Sequence, residues 1–174
     1  MDDAARELGI SKKTLYQYFK DKDELVKKVV EYQMDKQQED MTKLINHKAN
    51  AIEELLMVSK LISNFLKQAS PTTSYDLQKY YPEIWKNIIT NRREHIFKQI
   101  SANMKKGIKE GLYRKNLNID IIAHFYLFRV ETTHTFDLIV ENKYSYEELF
   151  NTFFDYHIRG IANKKGIEYL ENKI

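Results

Sequence analysis

The chain has 174 residues, 43% apolar and 13% aromatic, which is ample for a buried core in one large or two small domains and excludes an intrinsically disordered protein. Five Gly, two Pro and no Cys favour long helices over a many-turned sheet, and they exclude a disulfide framework or thiolate metal centre. The net charge of +3 is too small to argue for nucleic acid alone, and no apolar run reaches the ~18 residues of a membrane span; nothing reads as a cleavable signal peptide, so a soluble, cytoplasmic protein without a membrane partner is expected.

Met1, Ala4, Ala5 and Leu8 fall at i, i+3, i+4 and i+7, the stripe of a short amphipathic helix. Gly9 supplies the left-handed conformation for a sharp turn. Ser11 then offers an N-cap to a second helix whose Leu15, Tyr18 and Phe19 can pack inward while Lys12, Lys13, Tyr16 and Gln17 stay outside. Two helices joined in this way form a helix-turn-helix. Over residues 9–22 four lysines, Lys12, Lys13, Lys20 and Lys22, oppose the single Asp21, although residues 1–48 balance at ten basic and ten acidic side chains. Positive charge is thus concentrated where a phosphate backbone would lie.

Asp21 and Glu24 form a D-x-x-E helix start, and the apolar pattern from Leu25 to Ile45 predicts one helix from Lys22 to His47 joining the head to a body. A helix over Ala51–Ala69 is apolar around more than half its circumference. SPTT at 70–73 is expected to break it, leading to a short helix over Asp76–Tyr80 and a long one over Pro82–Glu110, with Pro82 at the first position and Gly111 as a natural stop. Lys105, Lys106 and Lys109 in its last turns suit the carbonyl end of the helix dipole and need no nucleic-acid explanation. The next helix, Ile119–Glu141, is apolar nearly all round and is expected to be buried on more than one side. Ser145 and Glu148 make a capping box for a last long helix.

The segment GISKKTLYQYFKDKDEL resembles the signature of the TetR family of transcriptional regulators, closely over about 25 residues, and DLQKYYPEIW at 76–85 resembles the ligand-binding half of some members. The resemblance implies an all-α homodimer with a helix-turn-helix head at 1–47 and a ligand-binding and dimerisation body at 48–174. It further implies a repressor that binds double-stranded operator DNA and releases it when a small-molecule effector binds. Carried over position by position, the DNA contacts are Ser11, Lys12, Lys13, Thr14, Tyr16, Gln17, Tyr18 and Lys22. Lysine suits the O6 and N7 acceptors of guanine and glutamine suits adenine, so Lys12, Lys13 and Gln17 are expected at base edges; Thr14, Tyr16, Tyr18 and Lys22 suit phosphates. For Tyr18, packing in the small core is an equal alternative. Dimer symmetry predicts a palindromic operator with half-sites roughly 34–36 Å apart.

Members of the family normally carry a further helix before this motif, and the apolar faces that would receive it are present. An internal methionine taken as the start, a chain cut at Met1 or a natural variant with a loosened head would each account for this, the first two being favoured, and poor DNA binding by the chain as written is expected. The alternative function is a helical ligand-binding and dimerisation module without DNA affinity.

The body carries more apolar surface than one bundle can bury, so its two C-terminal helices are expected to pair with a second copy through Ile122, Tyr126, Phe150, Phe153, Phe154 and His157. Phe65, Trp85 and Tyr126, with Arg129 and Thr133 as polar groups, are the candidates for an effector pocket. Glu131 and His134 form one E-x-x-H, but a carboxylate-bridged metal pair needs a second copy and two further glutamates, so neither a metal site nor any cofactor is expected. Scattered histidines and the absence of a Gly-rich phosphate loop argue against catalysis.

Overall fold

The computed structural model describes residues 1–44, 49–68, 71–132 and 144–173. Its elements are α1 (Asp2–Glu7), α2 (Lys12–Tyr18), α3 (Lys22–Leu44), α4 (Ala51–Gln68), α5 (Pro71–Tyr80), α6 (Pro82–Lys109), α7 (Ile119–Thr132), α8 (Tyr146–Ile161) and α9 (Lys164–Glu171). The architecture is all-α; among the described residues the extended pairing is one isolated antiparallel bridge, Tyr113 to Ala162.

The local signals act as expected. Gly9 at φ 67° lets Gly9 N donate to Arg6 O and Ile10 N to Ala5 O, and Gly111 at φ 70° repeats this with Leu112 N to Gly107 O. Asp21 Oδ1 accepts from Glu24 N at 2.8 Å, while Glu24 reaches back to Lys20 N at 2.7 Å. Ser145 and Glu148 close a reciprocal capping box on α8.

Several boundaries differ. The expected ends of α3 at His47, α4 at Ala69 and α7 at Glu141 lie outside the described residues. Helix α5 begins at Pro71 rather than Asp76, because proline lacks only an N–H that the first turn leaves unpaired anyway. The short α9 was not anticipated. Its start is set by Asn163, whose Oδ1 accepts from Gly166 N at 3.0 Å, and its inner face carries Gly166 and the fully buried Leu170.

In the body α4 packs on α8, α6 packs on α7, and α4 and α5 both lie against α6. Ile52, Leu55, Met104, Tyr113, Phe154 and Ile158 form the centre. Each such side chain is worth roughly 1.5–3 kcal/mol of burial. Tyr113 lies directly over Gly107, where a Cβ would come within 2.1 Å of the ring; its hydroxyl donates to Asn103 Oδ1 at 3.2 Å, and burial pushes its pKa up. A methyl group at position 107 would displace that ring.

The first turn of α4 is held by an unusual density of polar contacts. Asn50 Oδ1 accepts from Ile52 N and Glu53 N, each at 3.0 Å, as an N-cap. From α6, Lys106 Nζ donates to Ala49 O at 2.6 Å and to Glu54 Oε1 at 2.5 Å, and Asn103 Nδ2 donates to Ala51 O at 2.8 Å. Glu110, which caps α6, accepts from Ala51 N at 2.8 Å. From α9, Tyr169 donates to Glu53 Oε1 at 2.7 Å, and Lys173, just beyond its end, pairs with the same oxygen at 3.0 Å. Tyr169, Lys173 and the Asn50 amide hold the Glu53 carboxyl down to about 2.

The C-terminal helices correct the expected pairing surface. Tyr126, Phe150, Phe154 and His157, four of the six residues expected between subunits, are buried within the chain, and Ile122 and Phe153 are half-buried against the same core. Tyr126 meets Phe153, Phe154 and His157 at ring distances of 5.2, 6.1 and 4.9 Å. Helix α7 is not buried on every side either. Ile121, Phe125 and Phe128, spaced at i, i+4 and i+7, form an apolar stripe on its outer face that is 48, 67 and 64% exposed.

Candidate nucleic-acid interface

Gly9 directs α2 across α1, and Leu15, 2% exposed, anchors α2 beside the buried Ala5. With Leu15 turned inward, the helical repeat places Lys12, Lys13, Tyr16 and Gln17 together on the exposed side of α2. Ser11 Oγ accepts from Thr14 N at 3.0 Å and meets Thr14 Oγ1 at 2.7 Å, so the two hydroxyls at the start of α2 first satisfy each other. Lys12 pairs with Asp2 of α1 at 2.9 Å; the hydrogen bond and the charge of this partner raise the lysine pKa and lower that of the aspartate. Lys13 and Gln17 are exposed, and Lys22 opens α3 on the same head.

Tyr18 is 74% exposed, which removes the core alternative, while Phe19 takes the half-buried position. The expected inward stripe of α1 is incomplete: Ala5 is buried, Met1 and Ala4 are half-buried, and Leu8 is 63% exposed. Val29 on α3 is likewise 50% exposed.

The arrangement combines two cations, an amide able to form a bidentate pair with adenine, and phenolic hydroxyls on a short helix narrow enough for the major groove, with Lys22 beside it at the start of α3. Residues 1–29 match the model of the bacterial regulatory proteins, tetR family. The head is thus a TetR-type helix-turn-helix. Two relatives from Bacillus subtilis resemble this chain along nearly its whole length. An uncharacterized HTH-type transcriptional regulator is 24% identical over 165 residues, covering 93% of this chain and 85% of the relative. A fatty acid metabolism regulator protein is 24% identical over 163 residues, covering 92% and 84%.

Among solved structures, a transcriptional regulator from Cytophaga hutchinsonii superposes with a TM-score of 0.77 at 19% identity, covering 94% of this chain and 88% of that one. A ketosteroid transcriptional regulator of Mycobacterium tuberculosis superposes with a TM-score of 0.58 at 18% identity, covering 94% and 84%. These structural likenesses establish the TetR-type fold. The chain is a DNA-binding regulator, and the relatives that it matches are regulators.

The effector candidates are described only in part. Trp85 is half-buried on α6, Tyr126 is core, and Arg129 lies exposed on α7, whereas the side chain of Phe65 and all of Thr133 lie outside the described residues. The E-x-x-H pair falls there too, through the side chain of Glu131 and all of His134. Among the described residues no three His, Asp or Glu side chains gather where a metal could bind, and no helix is long and apolar enough to cross a membrane. Sequence reasoning missed the Asp2 partner of Lys12; acidic residues in a first turn were the available signal.

Proposed function

We propose that this chain is a ligand-responsive repressor that binds a palindromic operator as a homodimer in the cytoplasm. Residues 1–47 serve as the head and 48–174 as the effector-binding and dimerisation body. The observation that carries this reading is the exposed Lys12, Lys13, Tyr16 and Gln17 surface on a helix anchored by Leu15. Ser11, Thr14, Tyr18 and Lys22 flank it as phosphate contacts, Lys13 and Gln17 reach base edges, and Lys12 joins them once Asp2 is displaced.

Dimerisation is supported by the stripe of Ile121, Phe125 and Phe128, an apolar face that a two-fold axis would cover with its own copy. The effector is an apolar small molecule. In support, one relative is named for fatty acid metabolism and one structural neighbour for ketosteroids. Within α4, the half-buried Met57, Leu61 and Ile62 adjoin Ser63, whose buried hydroxyl has no hydrogen-bond partner in the described structure. An apolar helix face with one unpartnered hydroxyl suits such a ligand.

The test is selection of bound duplexes from a random-sequence library by the purified chain, followed by challenge with palmitate, oleoyl-CoA and a ketosteroid. Enrichment of a two-fold symmetric sequence, and its release by one of these compounds, is the expected result. Enrichment of no sequence overturns the DNA reading. A second reading, a helical ligand-binding dimer without DNA affinity, is favoured by the thin head, in which Ala5 and Leu15 are the buried apolar side chains among residues 1–43. It predicts ligand-induced thermal stabilisation without duplex enrichment.

A further inference from the structure

The first turn of α4 is secured far beyond what a helix start requires. Asn50 alone completes the N-cap. The contacts from Lys106, Glu110, Tyr169 and Lys173 come from residues 52 to 120 positions away and fix where the chain enters the body rather than whether α4 forms. That entry point follows α3, the helix that carries the head, by a few residues.

The two halves of the arrangement differ. Lys106 and Glu54 are 31% and 13% exposed, an inner pair locked between α4 and α6. Lys173 and Glu53 are 47% and 24% exposed, an outer pair open to water on one side. Helix α9 is held down independently by Leu170, by Gly166 against the Leu112 carbonyl, and by Arg159 pairing with Glu171 at 3.3 Å. Losing the outer pair therefore leaves α9 docked and the core intact.

We propose that the outer pair is a releasable clasp: Tyr169 and Lys173, by gripping Glu53, restrain the head relative to the body, and opening this grip frees the head without unfolding the chain. Lys106 on Ala49 and Glu54 is the fixed pivot. Glu53, Tyr169 and Lys173 are thus positioning residues, acting on the DNA-reading surface through α4 and α3. The proposal concerns the geometry of the junction and stands whether or not the chain selects an operator.

The chain has no cysteine, so Glu7→Cys in the head and Lys60→Cys on the exposed side of α4 give two unique labelling positions. Spin-label distance distributions are measured with the labelled chain diluted into unlabelled chain. Glu53→Gln and Lys173→Met are each expected to broaden the head–body distribution, with amide exchange of residues 51–54 rising about fivefold in a chain that stays folded. Arg159→Met, which breaks the pair between α8 and the end of α9 while Leu170 and Gly166 keep α9 docked, is expected to leave the distribution unchanged. Tyr169→Phe removes only the hydroxyl and serves if either charge variant fails to fold. Distributions in Glu53→Gln, Lys173→Met and Tyr169→Phe identical to that of the unaltered junction overturn the proposal, as does equal broadening in Arg159→Met.

Discussion

Lys12 Nζ lies 2.9 Å from Asp2 Oδ1, so one of the two cations at the start of the recognition helix is already engaged by the acidic first turn of α1. Both groups are more than half exposed, and such a pair holds weakly in water. A DNA phosphate or guanine edge has to displace Asp2 before Lys12 can act. Asp2→Asn is expected to strengthen duplex binding about three- to tenfold at low salt, since it removes one negative charge and releases one positive one. Fluorescence anisotropy against a fixed duplex at several salt concentrations measures this; unchanged affinity would show that Lys12 does not face DNA.

Lys22 and Gln17 should separate by kind rather than degree. Lys22→Ala is expected to weaken binding to all sequences alike and reduce the salt slope by about one, as loss of a phosphate contact does. Gln17→Ala is expected to leave the slope unchanged and relax the preference at one base pair by about 1–3 kcal/mol. A panel of base-substituted operators distinguishes the two, and identical behaviour would refute the assignment of roles.

The stripe of Ile121, Phe125 and Phe128 predicts a subunit contact centred on α7. Phe125→Glu is expected to convert a dimer into a monomer at micromolar concentration while changing the stability of the chain itself by no more than about 0.5 kcal/mol, because the side chain lies on the outside of the fold. Light scattering coupled to gel filtration gives the mass. A dimer that persists in the variant, or a monomer before substitution, moves the interface elsewhere.

Burial beside Tyr126 and Phe153 pushes the imidazole of His157 down to about 4, from the usual 6.5. Between these values the unfolded chain binds a proton that the folded chain refuses. Stability is therefore expected to fall as pH drops from about 6.5 towards 4. Glu53 adds a second, lower window: its carboxyl is held near 2, so its contribution is present above about 4.5 and lost as pH falls towards 2. Urea unfolding at pH 7 and pH 5 tests the first window, with His157→Leu expected to show the smaller difference. An equal difference in the variant would exclude His157 as its source.

The head and most helix boundaries were legible because their signals are local. Gly9, Ser11, Asp21 with Glu24, Gly111 and Ser145 with Glu148 each act within a few residues along the chain, where spacing alone dictates the hydrogen bond. The inward and outward faces of α7 were not legible. A helix apolar nearly all round has no period to read, and only packing decides that Tyr126 enters the core while Phe125 and Phe128 remain outside. Lys106 shows the same limit for polar groups: its position suits a dipole contact at a helix end, but its nitrogen crosses to Ala49 and Glu54, partners 57 and 52 residues away. Most of the head candidates came together because they share one short helix, whereas Trp85 and Tyr126 sit on different helices whose relative rotation the sequence does not encode.

Four of the five glycines of this chain are constrained, for two unrelated reasons. At positions 9 and 111 the backbone is left-handed and a Cβ would meet nothing within 4 Å, so the constraint is one of chirality: a D-alanine introduced by chemical synthesis should fit both turns, and asparagine is the natural residue nearest to tolerable there. At 107 and 166 an L-Cβ would come within 2.1 Å of the Tyr113 ring or the Leu112 carbonyl, so what matters is the missing atom itself. Mirror-image substitution thus offers a way to stiffen both reversals of the chain while leaving its tightest contacts untouched.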